Sequence, residues 1–292
     1  MKKKIAICLS GHLHYSLLSG ERNEILNIIK QEENYTQKQE ERFDQDDPIH
    51  GYKNLVSKFK NCEIDFYIHS WSKTAEDKIL SIYNPKNFLI EDQRNFEVNI
   101  KEYNFPISEE EILKKKNLNS NFFSYYLLLE ARKKINKEYS YNDLKKEMEV
   151  EIYRTSSRYY SLKKSINLLL ENEKKEKIDY DFFVITRFGN AKFFYWNPKI
   201  EKIKKNSIYA EGRTGRIDEK LAVNDGWFIC NKKNITLFES LYDLRGDYSI
   251  RAPFAFKQHF DKHHTDVVLI EQKLNIKNIF KKFINKIIHF KI

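Results

Sequence analysis

The stretch that most constrains the fold is Asp179–Asn190, DYDFFVITRFGN. Its apolar run, Phe182–Ile185, has no charge and is rich in β-branched and aromatic residues, which predicts a strand buried on both faces. The strand must end near Arg187 and Gly189, where the chain leaves the sheet. Because ligands of open α/β sheets lie outside the carboxyl ends of the strands, Arg187 is the charge best placed to meet a ligand.

The bulk composition is that of a folded protein. A chain of 292 residues with 41% hydrophobic residues can bury a core as one large domain or two small ones. No segment approaches the ~20 apolar residues of a membrane span. The apolar run Ile5–Leu9 is shorter than the roughly 7-residue minimum of a signal-peptide core, so it is interpreted as the first strand. Cys8, Cys62 and Cys230 are isolated, which indicates a reducing compartment.

Strand-like and helix-like segments alternate along the chain. This alternation predicts an α/β fold with a mostly parallel sheet flanked by helices. We expect a single domain over 1–272, with a helical insertion at about 100–155. The predicted strands are 4–10, 63–69, 87–90, 180–186, 227–230 and 266–270; the predicted helices are 16–30, 52–59, 75–83, 108–116, 121–153, 154–174, 233–244 and 251–264; and residues 31–47 and 193–220 are predicted loops.

The last 20 residues, 273–292, are predicted to form a basic amphipathic helix. They contain six lysines and no acid, with isoleucine and phenylalanine recurring at spacings of three and four. Such a helix suits an anionic bilayer surface, although a terminal helix docked on its own domain is the alternative. Without these lysines the net charge falls from +10 to +4. A nucleic-acid partner is therefore not expected, because nucleic-acid binders carry their charge on a folded face.

Polar residues follow the first predicted strand: Ser10, Gly11, His12 and His14. A glycine there lets the backbone approach a ligand, and polar neighbours can bond a base or a phosphate. An ordinary strand-to-helix turn is the alternative. The chain contains neither GxGxxG nor GxxxxGK[ST], which argues against a Rossmann dehydrogenase and a P-loop enzyme.

Two more strand ends carry candidate ligand-binding residues. His69 and Trp71 follow the second strand, where histidine could bond sugar hydroxyls and tryptophan could stack on a ring; a tryptophan that caps the core is the alternative. Arg187 has the planar fork that binds phosphate or carboxylate in bidentate fashion. A structural ion pair with Asp179 or Asp225 is the alternative for Arg187.

A glycine-flanked segment supplies further cations. Arg213 and Arg216 form a flexible cationic loop suited to a diphosphate, or an ordinary surface loop. Asp225 precedes a buried strand and could act as a base or bond a sugar, but Asp-Gly is also a common turn pair.

His259 and His263 lie four residues apart on a predicted helix. A metal site there lacks the glutamate that zinc proteases carry after the first histidine, since that position is Phe260. A partly packed helix face is the favoured interpretation.

The order of these segments resembles a known family. KIAICLSGHLH, DFYIHSW, SSRYYSLKKSINLL, YDFFVITRFG and NDGWFICNKKNITLFESLYD resemble, in that order, the segments of bacterial glycosyltransferases with a GT-A-like fold from capsule and lipopolysaccharide loci. The resemblance covers most of the chain except 31–47, 91–150 and the tail. It implies a GT-A-like, Rossmann-like sheet and a nucleotide-sugar donor.

The resemblance also implies roles for individual residues. It places Ser10 and Gly11 near the donor nucleotide and matches His69, Trp71, Arg187 and Asp225 to family positions. Beside these matches, we predict His12, His14, Arg213 and Arg216 as further donor-binding residues. We also predict Asp225 as the general base and Trp227 as a contact of the acceptor.

Two positions depart from the family pattern. His14 stands where the pattern has arginine, and Gly189 stands where it has the aspartate expected to bind a metal. Mn²⁺ or Mg²⁺ is therefore an uncertain cofactor, since Asn190 is a poor substitute for a carboxylate.

The sequence thus predicts transfer of a sugar to a surface-glycan acceptor, capsule or lipopolysaccharide, at the inner face of the cytoplasmic membrane. The alternative is a catalytically degenerate nucleotide- or glycan-binding relative that acts as a membrane-surface scaffold.

Overall fold

A computed structural model of the chain describes residues 2–13, 48–98, 100–103, 105–118, 120–204, 206–212 and 222–271. Its strands are β1 (Lys3–Gly11), β2 (Cys62–Ser70), β3 (Asn87–Ile90), β4 (Phe182–Arg187), β5 (Ser207–Gly212), β6 (Trp227–Cys230) and β7 (Asp266–Glu271). Its α-helices are α1 (Pro48–Lys58), α2 (Glu76–Tyr83), α3 (Glu109–Lys115), α4 (Ser120–Ile135), α5 (Tyr141–Glu176), α6 (Phe188–Ala191), α7 (Lys232–Ser240) and α8 (Ala252–Lys262).

The described strands form one seven-stranded sheet in the order β3-β2-β1-β4-β6-β5-β7. β6 runs antiparallel to its neighbours β4 and β5, and the other four strand pairs are parallel. The carboxyl ends of β1, β2, β4 and β5 therefore share one edge with the amino end of β6. The predicted fold class, a mixed and mostly parallel α/β sheet flanked by helices, is confirmed.

Strand β4, which contains the apolar run Phe182–Ile185, lies in the middle of this sheet and is buried on both faces. Phe183 and Ile185 pack into the core under α5, α7 and α8. Phe182 and Val184 pack into the opposite core, under α1 and α2. The absence of polar alternation in this strand follows from having hydrophobic cover on both sides.

The long helix α5 covers β1 and β2 on one face of the sheet. It begins at a capping box, in which Ser140 and Asp143 each accept a hydrogen bond from the other's backbone N–H. It ends after 36 residues at Lys177, whose left-handed conformation closes the last turn. Its predicted apolar stripe is buried in the core: Tyr159, Leu162, Ile166 and Leu169.

The region of the predicted helical insertion has a hydrophobic cluster of its own. Side chains from α3, α4 and the first half of α5 meet there with Ile250 from the chain's second half. Ser108 caps α3 by accepting a hydrogen bond from the Glu111 N–H at 3.2 Å.

Two predicted boundaries are wrong. The predicted loop 193–220 contains β5, which is a strand because β6 and β7 pair with it on both sides. The predicted helix boundary at 153/154 falls inside α5; the chain instead breaks at 136–140, where the Ser140 capping box starts a new helix.

Several predictions fall outside the described residues: the helix 16–30, the loop 31–47 and the tail 273–292. Within the described ranges, no helix combines the length and apolar character needed to cross a lipid bilayer.

Candidate functional site

Three predicted site residues lie in one row at the carboxyl edge of the sheet. Ser10 of β1 is in register with His69 of β2 on one side and with Arg187 of β4 on the other. The chain also changes direction across the sheet here, because β2 and β3 follow on one side of β1 and β4 lies on the other. Such a topological switch point is where open α/β sheets bind ligands.

His69 is completely buried and joins three elements. Its Nδ1 lies 2.7 Å from Ser161 Oγ of α5, and its Nε2 lies 3.1 Å from Glu91 Oε1. Because the Glu91 carboxylate can only accept, the Nε2–H of neutral His69 donates to it, and Nδ1 accepts from the Ser161 hydroxyl, whose oxygen also accepts the Gly11 N–H at 2.7 Å. Burial lowers the pKa of His69 to about 4, although Glu91 opposes the shift. At neutral pH His69 is therefore an uncharged brace between β2, α5 and Glu91.

A serine, a histidine and a glutamate in contact suggest a hydrolase triad, but the burial of Ser161 argues against one. Ser161 is 0% exposed, and its oxygen already accepts a hydrogen bond from the backbone of β1. A substrate carbonyl cannot reach it. The three residues fix the end of β1 instead.

The turn after β1 is held from several sides. Gly11 has φ of +93°, which favours glycine, and its carbonyl accepts a hydrogen bond from Ser70 Oγ at 3.1 Å. The Leu13 N–H donates to Ser72 Oγ at 2.9 Å. His12 Nε2 lies 2.9 Å from Gln93 Oε1, and burial lowers the pKa of His12 while the Gln93 contact opposes this. The backbone near the predicted donor site is thus rigid.

Trp71 is buried at 5% exposure and caps the core. Its ring stacks on Tyr160 of α5, with centroids 5.5 Å apart, and meets the edge of Phe96. Its Nε1 has no hydrogen-bond partner among the described residues. The segment 91–98 and α5 close over the ring, so it offers no face on which a ligand could stack.

Arg187, Asp225 and Trp227 line one cavity of about 630 Å³ at the same edge of the sheet. The sequence predicted five site residues from β4 onward, and the structure brings these three of them together. The other two, Arg213 and Arg216, lie outside the described residues, as does His14. Polar side chains dominate the rest of the wall. The other lining residues are Asn54, Lys58, Asn190, Lys192, Phe193, Phe194, Tyr195, Glu211, Asn224 and Gly226.

Asp225 is held by an arginine from α5. Arg158 Nη1 donates to Asp225 Oδ2, and Nη2 donates to the Asp225 carbonyl at 2.7 Å. The side chains are 16% and 10% exposed, so this ion pair is shielded from solvent. It fixes the carboxylate at the cavity wall.

Glu211 is a second carboxylate in the wall that the sequence analysis missed. Asn224 Nδ2 donates to Glu211 Oε2 at 2.6 Å, and a Cβ on Gly226 would lie only 2.6 Å from that same oxygen. Gly226 therefore leaves the space in which the carboxylate sits. Glu211 was overlooked because its strand was predicted to be a loop; the short apolar run before Gly212 is the signal that could have revealed it.

The residues after β4 do not fit a divalent cation of the expected kind. Gly189 offers no side-chain ligand, and the Asn190 amide nitrogen donates to the Gly226 carbonyl at 3.2 Å. Among the described residues no group of three His, Cys, Asp or Glu side chains is arranged to hold a metal. This includes His259, which is buried with Nδ1 2.8 Å from the Tyr248 hydroxyl and Nε2 2.8 Å from the Leu237 carbonyl.

Trp227 forms the floor of the cavity rather than an exposed wall. It is 1% exposed, packs on Phe194 and stacks on Trp196, which in turn stacks on Tyr209. The exposed aromatic residue of the wall is Phe193, at 62% exposure.

The described residues therefore form an α/β protein with a polar cavity at the carboxyl edge of its sheet. No protein-family model matches the chain, and no curated protein matches it in sequence. It is similar to a crystal structure from Desulfovibrio desulfuricans G20, described as a "putative nucleotide-diphospho-sugar transferase", with a TM-score of 0.37 and 7% identity over 93% of this chain and 80% of that one. A likeness of this size carries no inference about the activity of this chain.

Proposed function

We propose that the chain is a glycosyltransferase that binds a nucleotide-sugar donor at the switch point between β1 and β4. The observation that carries the proposal is the position of Arg187. It ends β4 in register with Ser10, and it also lines the cavity that contains Asp225 and Glu211. Arg187 therefore lies both at the sheet edge where α/β proteins usually bind ligands and in a cavity whose carboxylates could accept the proton of an acceptor hydroxyl.

The proposed reaction needs charge stabilisation and a base. An acceptor hydroxyl oxygen bonds to the anomeric carbon of the donor, and the bond from that carbon to the diphosphate breaks. The leaving nucleoside diphosphate keeps the electron pair, and its charge is stabilised by Arg187 with Lys58 and Lys192 of the cavity wall. The hydroxyl proton goes to a carboxylate, with Asp225 as the base predicted from the sequence and Glu211 as the other acid in reach of the cavity.

No step of this reaction is assigned to a metal ion. The family resemblance implies Mn²⁺ or Mg²⁺, but the described residues after β4 do not supply the carboxylates that such a cation prefers. Cationic side chains are the proposed substitute, because they neutralise a diphosphate without a metal.

The acceptor and the cellular location extend this proposal. We propose a surface-glycan acceptor, of capsule or lipopolysaccharide, and attachment to the inner face of the cytoplasmic membrane through residues 273–292. Sedimentation with anionic liposomes tests the attachment: the full chain should pellet with the vesicles, and a chain ending at residue 272 should stay in the supernatant. Equal partitioning of the two chains would contradict it.

Calorimetric titration with nucleoside diphosphates and nucleotide sugars, with and without Mn²⁺, tests the donor site. The intact chain should bind at least one nucleoside diphosphate without metal. Arg187→Met should weaken that binding about 10- to 100-fold, since hydrogen bonds to charged groups contribute roughly 1.5–3 kcal/mol. The matched control is Arg154→Met, at an exposed arginine of α5, which should bind as the parent does. No binding of any nucleotide would sink the proposal.

A catalytically degenerate, ligand-binding scaffold is the second candidate function. Two observations favour it: Gly189 replaces the expected acid, and Asp225 is engaged by Arg158. The two candidates differ in turnover. Release of nucleoside diphosphate from the bound nucleotide sugar, in the presence of bacterial glycan fragments, supports the enzyme, whereas binding without release supports the scaffold.

A further inference from the structure

Phe193 is an exposed aromatic ring in a turn whose hydrophobic residues are otherwise buried. The ring is 62% exposed at the wall of the cavity, although Ala191, two residues before it, and Phe194, directly after it, are almost completely buried. Leaving a phenylalanine this exposed forgoes most of the roughly 1.5–3 kcal/mol that its burial would contribute. The position is therefore suited to a partner that covers the ring when it binds.

The backbone that carries Phe193 is fixed. Asn54 Nδ2, from α1, donates to the Ala191 carbonyl at 2.8 Å and to the Phe194 carbonyl at 2.9 Å. The Phe193 N–H donates to the Asn190 carbonyl at 2.9 Å. Both ends of the short turn are thus tied down, so the backbone position of Phe193 is fixed before any ligand arrives.

The surroundings of the ring suit a sugar. A pyranose has an apolar face of C–H groups, which pack on the electron-rich face of an aromatic ring, and hydroxyls around its rim, which need hydrogen-bond partners. Beside Phe193 the cavity wall offers the amides of Asn190 and Asn224 and the carboxylates of Glu211 and Asp225. The Lys192 ammonium lies over the ring, 4.8 Å from its centroid, so a cation–π contact takes one face of the ring and a saccharide would pack on the other.

We propose that Phe193 is the stacking platform for the pyranose ring of the acceptor saccharide. The assignment of this saccharide as the acceptor rests on the proposed function, whereas the saccharide site itself rests on the ring, its fixed backbone and the polar wall. A nucleobase is the other flat ligand that could stack there. The pyranose is favoured because the turn that carries the ring is anchored to α1 and the same cavity wall holds the two acids, while Arg187 links this wall to the row formed by Ser10 and His69.

Saturation-transfer NMR tests this site with defined probes. The probes are the methyl glycosides of glucose, galactose, N-acetylglucosamine and glucuronic acid, and, in separate samples, UMP and GMP. The proteins are the intact chain, Phe193→Ala, Phe193→Tyr and the matched control Phe88→Ala, which removes a 41% exposed phenylalanine from β3 at the far end of the sheet. Thermal unfolding should be nearly the same for all four, because neither ring is part of the core.

At least one methyl glycoside should receive saturation from the intact chain. That signal should fall at least fivefold in Phe193→Ala and persist in Phe193→Tyr and Phe88→Ala. No glycoside signal with the intact chain, or an equal signal in Phe193→Ala, would overturn the proposal, as would a Phe193-dependent signal on the nucleobases alone. If a glycoside signal depends on Phe193 and no nucleotide binds, the saccharide site stands and the proposed transferase does not.

Discussion

Position 189 distinguishes two ways in which the proposed site could neutralise a diphosphate: with a metal ion or with cationic side chains. Gly189 lies within α6, directly after β4, and a Cβ added there meets nothing within 4 Å. Its φ is not positive, since Gly11 is the glycine with positive φ in the described part of the chain. An acidic side chain can therefore be introduced at the position where the family pattern has one.

We predict that Gly189→Asp makes nucleoside diphosphate binding dependent on Mn²⁺. A carboxylate beside the diphosphate gives a hard cation the oxygen ligand it prefers, so Mn²⁺ should tighten binding at least tenfold in this variant. Calorimetric titration with and without Mn²⁺ measures this. Gly189→Asn, similar in size but uncharged, is the control and should respond to Mn²⁺ no more than the parent. An equal response of all three proteins would contradict the prediction.

For single residues, the sequence predicted which charged side chains lie at the cavity, but it did not predict which side chains at strand ends are buried. Arg187 and Asp225 line a cavity, as their positions at strand ends suggest. His69 and Trp71 are also at a strand end, yet they are covered by Ser161 and Tyr160 of a helix about 90 residues away. Local sequence cannot reveal such cover, because it depends on which helix crosses the edge of the sheet.

At the scale of elements, strands with a clear apolar run were predictable whatever their length, and a strand inside a lysine-rich stretch was not. The strands β1, β2, β3, β4, β6 and β7 were predicted within two residues of their ends, because each contains an apolar run. β5 was missed because its six residues lie in a lysine-rich stretch and end in Glu211 and Gly212. Pairing with β6 and β7 makes it a strand, and that pairing is a property of the fold rather than of the segment.

The connection between α1 and the turn after β4 leads to a prediction at the element scale. We expect Asn54→Ala to free the carbonyls of Ala191 and Phe194, loosen residues 188–196 and cost about 1–3 kcal/mol of stability. Hydrogen exchange of amides in 188–196 should accelerate, while amides of β1 and β2 stay protected. Lys53→Ala, at the neighbouring exposed position of α1, is the control. Unchanged exchange in 188–196 would show that the turn is held by other contacts.

For the molecule as a whole, the sheet separates two hydrophobic cores, one on each face. The candidate site lies at the carboxyl edge of the sheet, between these two layers. Arg158 and Ser161 approach this edge from α5 on one side, and Asn54 and Lys58 approach it from α1 on the other. The sequence predicted the sheet but not this meeting of α1 and α5, whose side chains come from segments about 100 residues apart.

Two buried histidines make the global stability of the chain depend on pH. Burial lowers the pKa of His69 and of His259 from the ordinary value of 6.5 to about 4 in the folded chain. Between pH 6.5 and about 4 the unfolded chain therefore binds more protons at these positions than the folded chain does. By linkage the free energy of unfolding rises with pH in this window and falls as the pH is lowered through it.

We predict that each histidine contributes a loss of about 1 kcal/mol per pH unit below pH 6.5. Urea unfolding at pH 7.0, 6.0 and 5.0 measures the loss, and His259→Gln should show a shallower fall than the parent, even though its stability at pH 7.0 is lower. The matched control, His50→Gln at an exposed position of α1, should keep the parent's slope. Comparing slopes rather than absolute stabilities removes the contribution of the carboxylates, which titrate in both proteins. If His259→Gln and the parent lose stability in parallel, His259 takes up its proton over the same pH range in the folded and the unfolded chain, and its burial does not lower its pKa.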